Sequence, residues 1–505
     1  MRPLTLVTCL LSFSIGLSAA LVPQKDVKPN VFILTDISNE PDDAESLVRL
    51  LLYSNELDIK GIVATTSYWL NYTIHDEDIY PILDAYEKVH DNLLTHSRDY
   101  PPVSYFRSIV SLGSKTYGLA ALEHEPSEGA LNLISVIDDT PLGETTYVLA
   151  WGGANVIAEA LNQVTKTRSS EEVDEFVSKM LVYAISDQDN AGPWIRFHWP
   201  FLRYVVSIHG FNQYGHSAWV GMSGETYNFF DLGGPDTSLV DKAWVEKNVR
   251  SVGPLGAAYP EFMFIMEGDT PSTLFVLPNG LNDPEHPEFG GWGGRYTRSD
   301  LSGATHNHYG DAEDYAIGKD GKIHNSNKAT IWRWREAYQG DFAARMQWTI
   351  KPFEETPHQP IVVANGTQSY KPFIINGTAD SIIRLDISES YDLNGRPLTY
   401  KWMHYREISL TQGNLHEVSE IIITPVDKDG QGSIVEFQVP SFDEACRNLF
   451  KRPAPCKSYH LIAEVSNDAG VVAYRRFIIQ VVPGEDDVYG EVKYEQNFGH
   501  VHDEL

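Results

Sequence analysis

The sequence predicts an α/β domain followed by an all-β domain. Over residues 31–208, short apolar and β-branched runs alternate with stretches whose apolar residues recur at helical spacing, which predicts a mostly parallel sheet covered by helices on both faces. Beyond about residue 360 the helical spacing disappears, and short strand-like runs separated by turns indicate a small β-sandwich. The chain has 505 residues, 42% hydrophobic and 21% charged, which excludes a disordered, collagen-like or coiled-coil protein.

The first domain is assigned to residues 28–352. Its strands are predicted at residues 31–34, 59–65, 146–150, 181–185, 204–208 and 262–266. Its helices are predicted at residues 44–52, 127–136 and 154–164.

Polar or glycine-rich loops follow five of these strands. They begin at Asp36, Thr65, Trp151, Asp187 and Glu267. Ligands of open α/β sheets bind outside the carboxyl ends of the strands, so we expect these loops to line one crevice.

The second domain is assigned to residues 360–483, after a Pro-rich linker at 351–360. Strands are predicted at residues 382–387, 398–402, 433–439, 459–465 and 471–482. Cys446 and Cys456 lie in one connection between strands, and a disulfide between them would close a short loop. Residues 484–505 are expected to form an acidic, flexible tail.

Both ends of the chain carry targeting signals. Residues 1–20 have the charged start, apolar middle and small-residue exit of a cleavable signal peptide, and no later segment is long enough to span a membrane. The chain stops at the tetrapeptide His-Asp-Glu-Leu, an address that a retrieval receptor of the endoplasmic reticulum recognises. Residence in the reticulum lumen is therefore predicted, with secretion as the alternative.

Two further features limit the partners. Sequons at Asn71, Asn365 and Asn376 predict glycosylation in the secretory pathway. The net charge of -30 would repel phosphate backbones, so nucleic acid is not an expected partner.

The most informative stretch is TDISNEPDDA at residues 35–44, which leaves a strand and enters a helix. Its later acids could simply favour the positive N-terminus of that helix. This explanation covers Asp36 less well, because a carboxylate at the end of a buried strand is costly to desolvate unless it meets a cation or several donors. Ca²⁺ between Asp36 and Asp43 would offset their repulsion.

At this point the sequence resembles the nucleoside hydrolase superfamily, whose first strand ends in an Asp-rich loop that holds Ca²⁺ and a ribose. The run at residues 35–67, with blocks at 151–155, 187–194 and 268–272, is similar to the nucleoside-hydrolase-like domain of a secreted, so-called cellulose-binding family. The resemblance implies a Rossmann-like sheet, followed by that family's Ig-like β-sandwich.

The resemblance also implies roles for individual residues. Asp36, Asp43 and Asp269 would be Ca²⁺ ligands together with the backbone carbonyl of Ala154, and Asp36 would also activate the attacking water. Asp42 would hold a sugar hydroxyl. Further substrate contacts are expected from Asn155, Asn190 and Trp194, although an Asn in a turn is as often a backbone cap.

One departure concerns the leaving group. Many nucleoside hydrolases have a His immediately before the late Asp, where this chain has Gly268. Candidate substitutes are Glu267, His286, His306 and His308. Candidate rings for stacking on a sugar are Trp151, Trp194, Trp292 and Tyr296.

Three functions are compatible with these features, of which the third, a lumenal accessory factor acting on glycoproteins, is motivated only by the predicted localisation. The first is a Ca²⁺-dependent hydrolase of N-ribosides or other glycosides, in which water activated by Asp36 attacks the anomeric carbon. The alternative is a non-catalytic protein that binds cellulose or another cell-wall glycan. The expected partner is therefore a small sugar, a nucleoside or a glycan.

Overall fold

We describe a computed structural model of the chain over residues 21–225, 233–299, 306–410, 414–448, 452 and 454–484. The predicted signal peptide and all of the predicted tail after residue 484, including its final tetrapeptide, lie outside the described residues.

The N-terminal part is built around an eight-stranded sheet with the strand order β3-β2-β1-β4-β5-β6-β8-β7. The pairs from β3 to β8 are parallel, and only the pairing of β7 with β8 is antiparallel. Its strands are β1 Asn30–Thr35, β2 Asp58–Ala64, β3 Val110–Leu112, β4 Thr146–Ala150, β5 Met180–Ser186, β6 Arg203–Ser207, β7 Tyr296–Arg298 and β8 His308–Asp311.

Helices cover both faces of this sheet. They are α1 Asp42–Leu52, α2 Ile79–Leu93, α3 Val103–Ile109, α4 Glu128–Asp139, α5 Asn155–Thr167, α6 Ser170–Ser178, α7 Ala191–His198, α8 Lys242–Val245, α9 Gly253–Ala257, α10 Thr270–Val276, α11 Ala329–Trp332 and α12 Arg335–Trp348. Residues of α1 and α2 belong to one buried cluster, and residues of α4 and α5 belong to another. The predicted α/β class is confirmed.

The position of the site follows from the topology. The chain runs from β1 through β2 to β3 on one side, and then returns to β4, which pairs with the other side of β1. The strand order therefore reverses between β1 and β4, and ligands of such sheets bind at this point beyond the carboxyl ends. Asp36 follows β1, and the Trp151-Gly152-Gly153 turn follows β4.

The prediction of a strand at residues 262–266 is wrong. This segment is a series of bends, with left-handed backbone at Phe264 (φ 62°) and Glu267 (φ 52°). A non-glycine residue rarely adopts this conformation, and tertiary contacts must hold it there. The backbone N–H of Glu267 donates a 2.8 Å hydrogen bond to Glu45 Oε2, which supplies one such contact.

The C-terminal part consists of two packed sheets, in agreement with the predicted β-sandwich. The N-terminal part also contains a hairpin of β9 Asp314–Ile317 and β10 Ile323–Ser326, and after α12 a short pair of β11 Val363–Ala364 and β12 Thr367–Gln368 precedes the sandwich strands. The sandwich strands are β13 Phe373–Thr378, β14 Ile382–Asp386, β15 Leu398–His404, β16 Thr424–Pro425, β17 Ile434–Gln438, β18 Ser458–Asn467 and β19 Val472–Val482. One sheet has the order β13-β19-β18-β15, and the other has the order β14-β17-β16.

The connection between β17 and β18 contains the short helix α13 Phe442–Ala445. A disulfide joins Cys446 to Cys456 in this connection. The cross-link therefore closes a loop within the sandwich and does not join the two sheets.

The two parts share buried polar contacts. Asp314 accepts a hydrogen bond from Tyr405 and forms ion pairs with Arg295 (2.7 Å) and Arg333 (2.8 Å). Arg476 of β19 donates to the carbonyl oxygens of Leu281 and Gly290 in the N-terminal part. These contacts fix the sandwich against the α/β domain. Among the described residues, no helix has both the length and the apolar composition needed to cross a bilayer.

Candidate functional site

An acidic cavity of about 170 Å³ opens at the carboxyl ends of β1, β4 and β5. Acids, amides and aromatic rings share its wall. The residues that line it are Asp36, Asn39, Glu40, Asp42, Asp43, Trp69, Trp151, Ile185, Ser186, Gln188, Asn212, Tyr214, Trp219, Gly268 and Asp269. All five predicted strand-end loops therefore contribute residues to one crevice, namely those after β1, β2, β4 and β5 and the bend at residues 267–269.

Three carboxylates form a compact group in this cavity. Asp42, Asp43 and Asp269 each offer an oxygen, and these oxygens all lie within 4.8 Å of one another. Asp42 and Asp43 occupy the first turn of α1, and Asp269 is the N-cap residue of α10. Two helix N-termini thus meet at the group, and their dipoles favour negative charge there.

Asp36 lies beside this group at the end of β1. It is buried, and its Oδ2 atom makes no hydrogen bond with the protein. Burial raises its pKa to about 7, against the lowering effect of a hydrogen bond with Ser67. Gly152 allows the approach of β4, because a Cβ atom there would lie 2.8 Å from Asp36 Oδ1.

The acids of this cavity raise one another's pKa. Burial and the charges of Glu40 and Asp36 raise the pKa of Asp42 to about 8. Burial and the neighbouring carboxylates raise the pKa of Asp43 and Asp269 well above the ordinary value. The cluster is therefore unfavourable as a set of bare charges and would be stabilised by a cation.

The donor set fits a hard divalent cation. The group offers only carboxylate oxygens, which Ca²⁺ and Mg²⁺ prefer. Besides Asp36 Oδ2, Asp269 Oδ2 is also buried without a hydrogen-bond partner. One of these unpartnered buried oxygens belongs to the three-carboxylate cluster and the other lies beside it, and a bound cation would give both a partner.

Hydrogen bonds hold the acids in position. The Thr35 hydroxyl donates to Asp43 Oδ1. Ser272 donates to the carbonyl oxygen of Asp269 at 2.7 Å and accepts from Trp151 Nε1 at 2.8 Å. The strand ends and the α10 turn are therefore fixed relative to each other.

Glu267 has a structural role. The sequence makes it a candidate for protonating the leaving group. It is fully buried and paired with Arg49 Nε at 2.5 Å, and it accepts a 2.8 Å hydrogen bond from Tyr259. Its side chain thus fixes the loop that carries Asp269.

Asn155 is likewise internal. Its Oδ1 accepts from the Thr65 hydroxyl and its Nδ2 donates to Thr66 Oγ1 and to the Thr116 carbonyl oxygen. Because this buried amide already uses both its donor and its acceptor atoms, Asn155 links strand ends, and its predicted contact with a substrate stays a prediction.

Asn190 lines a second cavity next to the first one. Its Oδ1 accepts a 2.8 Å hydrogen bond from the backbone N–H of Leu119, so one of its polar atoms has a structural partner. Its predicted contact with a substrate stays a prediction.

The predicted aromatic residues divide into two sets. Trp151 lines the acidic cavity, as predicted. The other three rings pack against further aromatic rings: Trp194 of α7 against Trp199, Trp292 against Tyr474 of the sandwich, and Tyr296 against Tyr183. Trp194, Trp292 and Tyr296 line neither cavity.

Sequence reasoning missed two tryptophans of the acidic cavity, Trp69 and Trp219. Trp69 follows the Thr65-Thr66-Ser67 turn at the end of β2, and its closeness to a strand end could have identified it. Trp219 lies in a long connection after β6 that carries no comparable signal.

The predicted histidines also lie elsewhere. His286 pairs with Glu288 and stacks on Phe289, and neither His306 nor His308 lines either cavity. His209 lines the second cavity instead, and its Nε2 lies 2.9 Å from Oγ of Ser186, which lines the first. His209 is thus the histidine at the boundary between the cavities.

The carbonyl oxygen of Ala154 accepts the 3.1 Å hydrogen bond from Ala158 N–H that begins α5. Its role as a metal ligand stays a prediction. The sequon residues Asn71, Asn365 and Asn376 are exposed, as glycosylation requires.

Comparisons with known proteins give the following matches. Residues 30–296 match the family described as cellulose-binding Sde182, nucleoside hydrolase-like domain, and residues 382–481 match the cellulose-binding protein Sde0182, C-terminal domain. A nucleoside hydrolase-related hypothetical protein from Saccharophagus degradans, described as associated with carbohydrate metabolism, is 30% identical. The alignment covers 90% of this chain and all of that one, with a TM-score of 0.72.

Two effector proteins match less well. The effector XOO4466 is 13% identical over 65% of this chain and 95% of its own, with a TM-score of 0.30. The type III effector XopQ, solved with adenosine diphosphate ribose, is 11% identical over 65% of this chain and 96% of its own, with a TM-score of 0.34. No curated protein matches the chain.

Proposed function

Because the chain belongs to the cellulose-binding Sde182 family with a nucleoside hydrolase-like domain, we propose that it hydrolyses a glycosidic bond in the acidic cavity. The observation that carries the proposal is the convergence of Asp42, Asp43 and Asp269 within 4.8 Å beside the unpartnered Oδ2 of Asp36. Burying several unpaired carboxylates together destabilises the fold, so such a cluster is better explained by binding of a cation and a substrate than by a structural role.

We assign Ca²⁺ to the carboxylate group. Asp43 and Asp269 would hold it, with Asp36 and the Ala154 carbonyl completing the predicted set. The bound ion would supply Lewis acidity and neutralise the cluster. Asp42, which is half-buried at the mouth of the group, would accept hydrogen bonds from sugar hydroxyls.

The protein's own residues would carry the proton transfers. Asp36 takes a proton from a water whose oxygen forms a bond to the anomeric carbon, while the bond from that carbon to the leaving group breaks. The surrounding carboxylates stabilise the positive charge that spreads over the sugar ring. The products are a reducing sugar and the protonated leaving group.

The leaving group needs a proton, and we assign its delivery to His209. A glycosidic bond at the boundary between the two cavities would lie near His209, whose Nε2 is 2.9 Å from Ser186 Oγ. This histidine would take the place of the one that nucleoside hydrolases carry immediately before the late Asp.

Release of reducing sugar from nucleosides and neutral glycosides, compared between wild type and Asp36→Asn, tests the proposal. The variant keeps the size of the side chain and removes its basicity, so we expect a loss of at least about a hundredfold in kcat. Asp91→Asn, which changes an exposed acid on α2, is the matched control. Equal turnover by wild type and Asp36→Asn would refute hydrolysis at this site.

The second candidate is a non-catalytic carbohydrate-binding protein. Gly268 in place of the usual His favours it, and so does the cellulose-binding description of the family. Binding of glycans without any turnover, unchanged by a chelator, would support this candidate over the first. In either case we propose that the protein works in the secretory pathway, where its exposed sequons would be glycosylated.

A further inference from the structure

We propose that the second cavity is a subsite for a neighbouring sugar ring, so that the natural ligand is a neutral oligosaccharide that spans both cavities. This inference deepens the proposed function, on which it rests, by naming the substrate class. It follows from the wall that the two cavities share, from the aromatic rings at their rim and from the charge of their walls.

The two cavities are adjacent. The second has a volume of about 210 Å³, similar to the 170 Å³ of the first, and the two share Gln188, Asn212 and Tyr214 in their walls. The acidic cavity contains the cation ligands, whereas the second lies on the far side of His209 and Ser186. A ligand that places one ring beside the acids would extend its next ring into the second cavity.

Exposed aromatic rings surround the second cavity. Tyr68 is 39% exposed and Phe211 is 66% exposed, although apolar rings of this size are usually buried. Their ring centroids lie 4.9 Å apart in an edge-to-face arrangement, and Tyr117 contacts Tyr68 at 6.5 Å. Flat rings presented to solvent at the mouth of a cavity can pack against the C–H faces of a sugar.

The aromatic rim continues into the first cavity. Trp69 is 46% exposed, stacks on Phe211 at 6.4 Å, and donates a 3.0 Å hydrogen bond to the Tyr214 hydroxyl. One aromatic surface therefore runs along both cavities, which suits a chain of rings better than a single small molecule.

The charge of the walls disfavours anionic ligands in the second cavity. Asp189 lines the second cavity, is buried, and keeps Oδ2 without a hydrogen-bond partner. The nearby Asp187 is already neutralised by Arg196 at 2.7 Å, and among the described residues neither cavity is lined by a lysine or an arginine. Carboxylates accept hydrogen bonds from hydroxyl groups and repel phosphate, so the walls favour neutral sugars over nucleotides.

The test measures how affinity depends on ligand length in the full chain. The probes are glucose, cellobiose, cellotriose and cellotetraose, with uridine for comparison, and binding is followed by calorimetry in the Asp36→Asn background to prevent turnover. We expect affinity to rise about tenfold once a second or third ring is present, and Phe211→Ala to abolish this gain. Phe197→Ala, an 81% exposed Phe outside both cavities, should leave the gain intact.

Tyr68→Ala provides a second variant at the same rim and should reduce the gain in the same way. The inference is overturned if affinity does not depend on ligand length, if Phe211→Ala and Tyr68→Ala both retain the gain, or if uridine binds as tightly as the longer glycans. These outcomes are separate from failure of the proposed function, which is judged by turnover in wild type against Asp36→Asn.

Discussion

Gly268 and Asp42 are in such close contact that a Cβ atom on Gly268 would lie 2.7 Å from Asp42 Oδ2. This Cβ atom would also lie 3.4 Å from the Trp219 ring. The space that a side chain at residue 268 would need is therefore occupied by a carboxylate of the acid cluster. This contact gives a physical reason for glycine at a position where many nucleoside hydrolases carry histidine.

Gly268→Ala should consequently displace the Asp42 carboxylate and weaken cation binding. Substitutions that disturb the groups around metal ligands typically cost at least about tenfold in metal affinity, and we expect a loss of that size because Asp42 lies against Asp43 and Asp269. Calorimetric titration with Ca²⁺ measures it. Gly310→Ala is the control, because its Cβ atom would meet nothing closer than 3.6 Å. Unchanged affinity in Gly268→Ala would show that the position of the Asp42 carboxylate does not influence the cation site.

His209→Gln should lower kcat on glycosides that have a poor leaving group, by about a hundredfold or more, because the leaving oxygen then lacks its proton donor. Nitrophenyl glycosides release a stable anion and should be affected much less. His198→Gln, on the exposed end of α7, should behave as wild type. A loss of equal size on both kinds of substrate would argue for a structural role of His209.

The junction between the domains should weaken in acid because of His358. This ring is buried, stacks on Phe353 at 3.9 Å, and bonds His96 at 3.0 Å and Asn394 at 2.8 Å. Burial, reinforced by the charge of Arg345, lowers its pKa from 6.5 to about 4 against the opposing effect of Asn394. The unfolded chain therefore takes up a proton at higher pH than the folded one.

Stability should accordingly fall as the pH drops below about 6.5, and the loss from His358 alone should reach about 2 kcal/mol at pH 5. Urea unfolding at pH 7 and pH 5 measures this loss, and His358→Gln should reduce the difference between the two pH values. If the stability of wild type and of His358→Gln depended on pH in the same way, this assignment to His358 would be contradicted.

Arg333 should be important for joining the sandwich to the α/β domain. It pairs with Asp314 at 2.8 Å and with Glu407 of the sandwich at 3.1 Å, and both acids are buried. Arg333→Met leaves these acids one cation short, and loss of a partner from a buried pair costs about 3–5 kcal/mol. Urea unfolding should show this loss, whereas Arg384→Met, which breaks the exposed pair with Glu436, should cost less than about 1 kcal/mol. Similar losses in the two variants would mean that the buried network contributes little.

The sequence predicts the sheet well because each buried strand coincides with a continuous run of apolar residues. All of β5 is buried, as are Val31 to Thr35 of β1, so the apolar runs in the sequence coincide closely with the strands. The same reasoning fails at residues 262–266, where an apolar run is bent by contacts with Glu45 and Arg49, more than 200 residues away. No local pattern contains that information.

For the site, acids were easier to predict than aromatic or amide residues. Asp42, Asp43 and Asp269 are brought together by strand and helix ends that the topology dictates. The role of a Trp or an Asn depends instead on which face of its element meets the cavity. The Asn155 side chain bonds Thr65 and Thr66, and Trp194 of α7 packs against Trp199. Neither residue therefore lines the acidic cavity.

The central claim, that the acid cluster holds a hard divalent cation, is tested most directly by calorimetric titration of the metal-free protein with Ca²⁺. The account predicts that one ion binds per chain, that Asp43→Asn abolishes this binding, and that Asp138→Asn, which changes an exposed acid paired with Arg168, leaves it unchanged. Absence of binding to the wild type, or equal binding by wild type and Asp43→Asn, would contradict it.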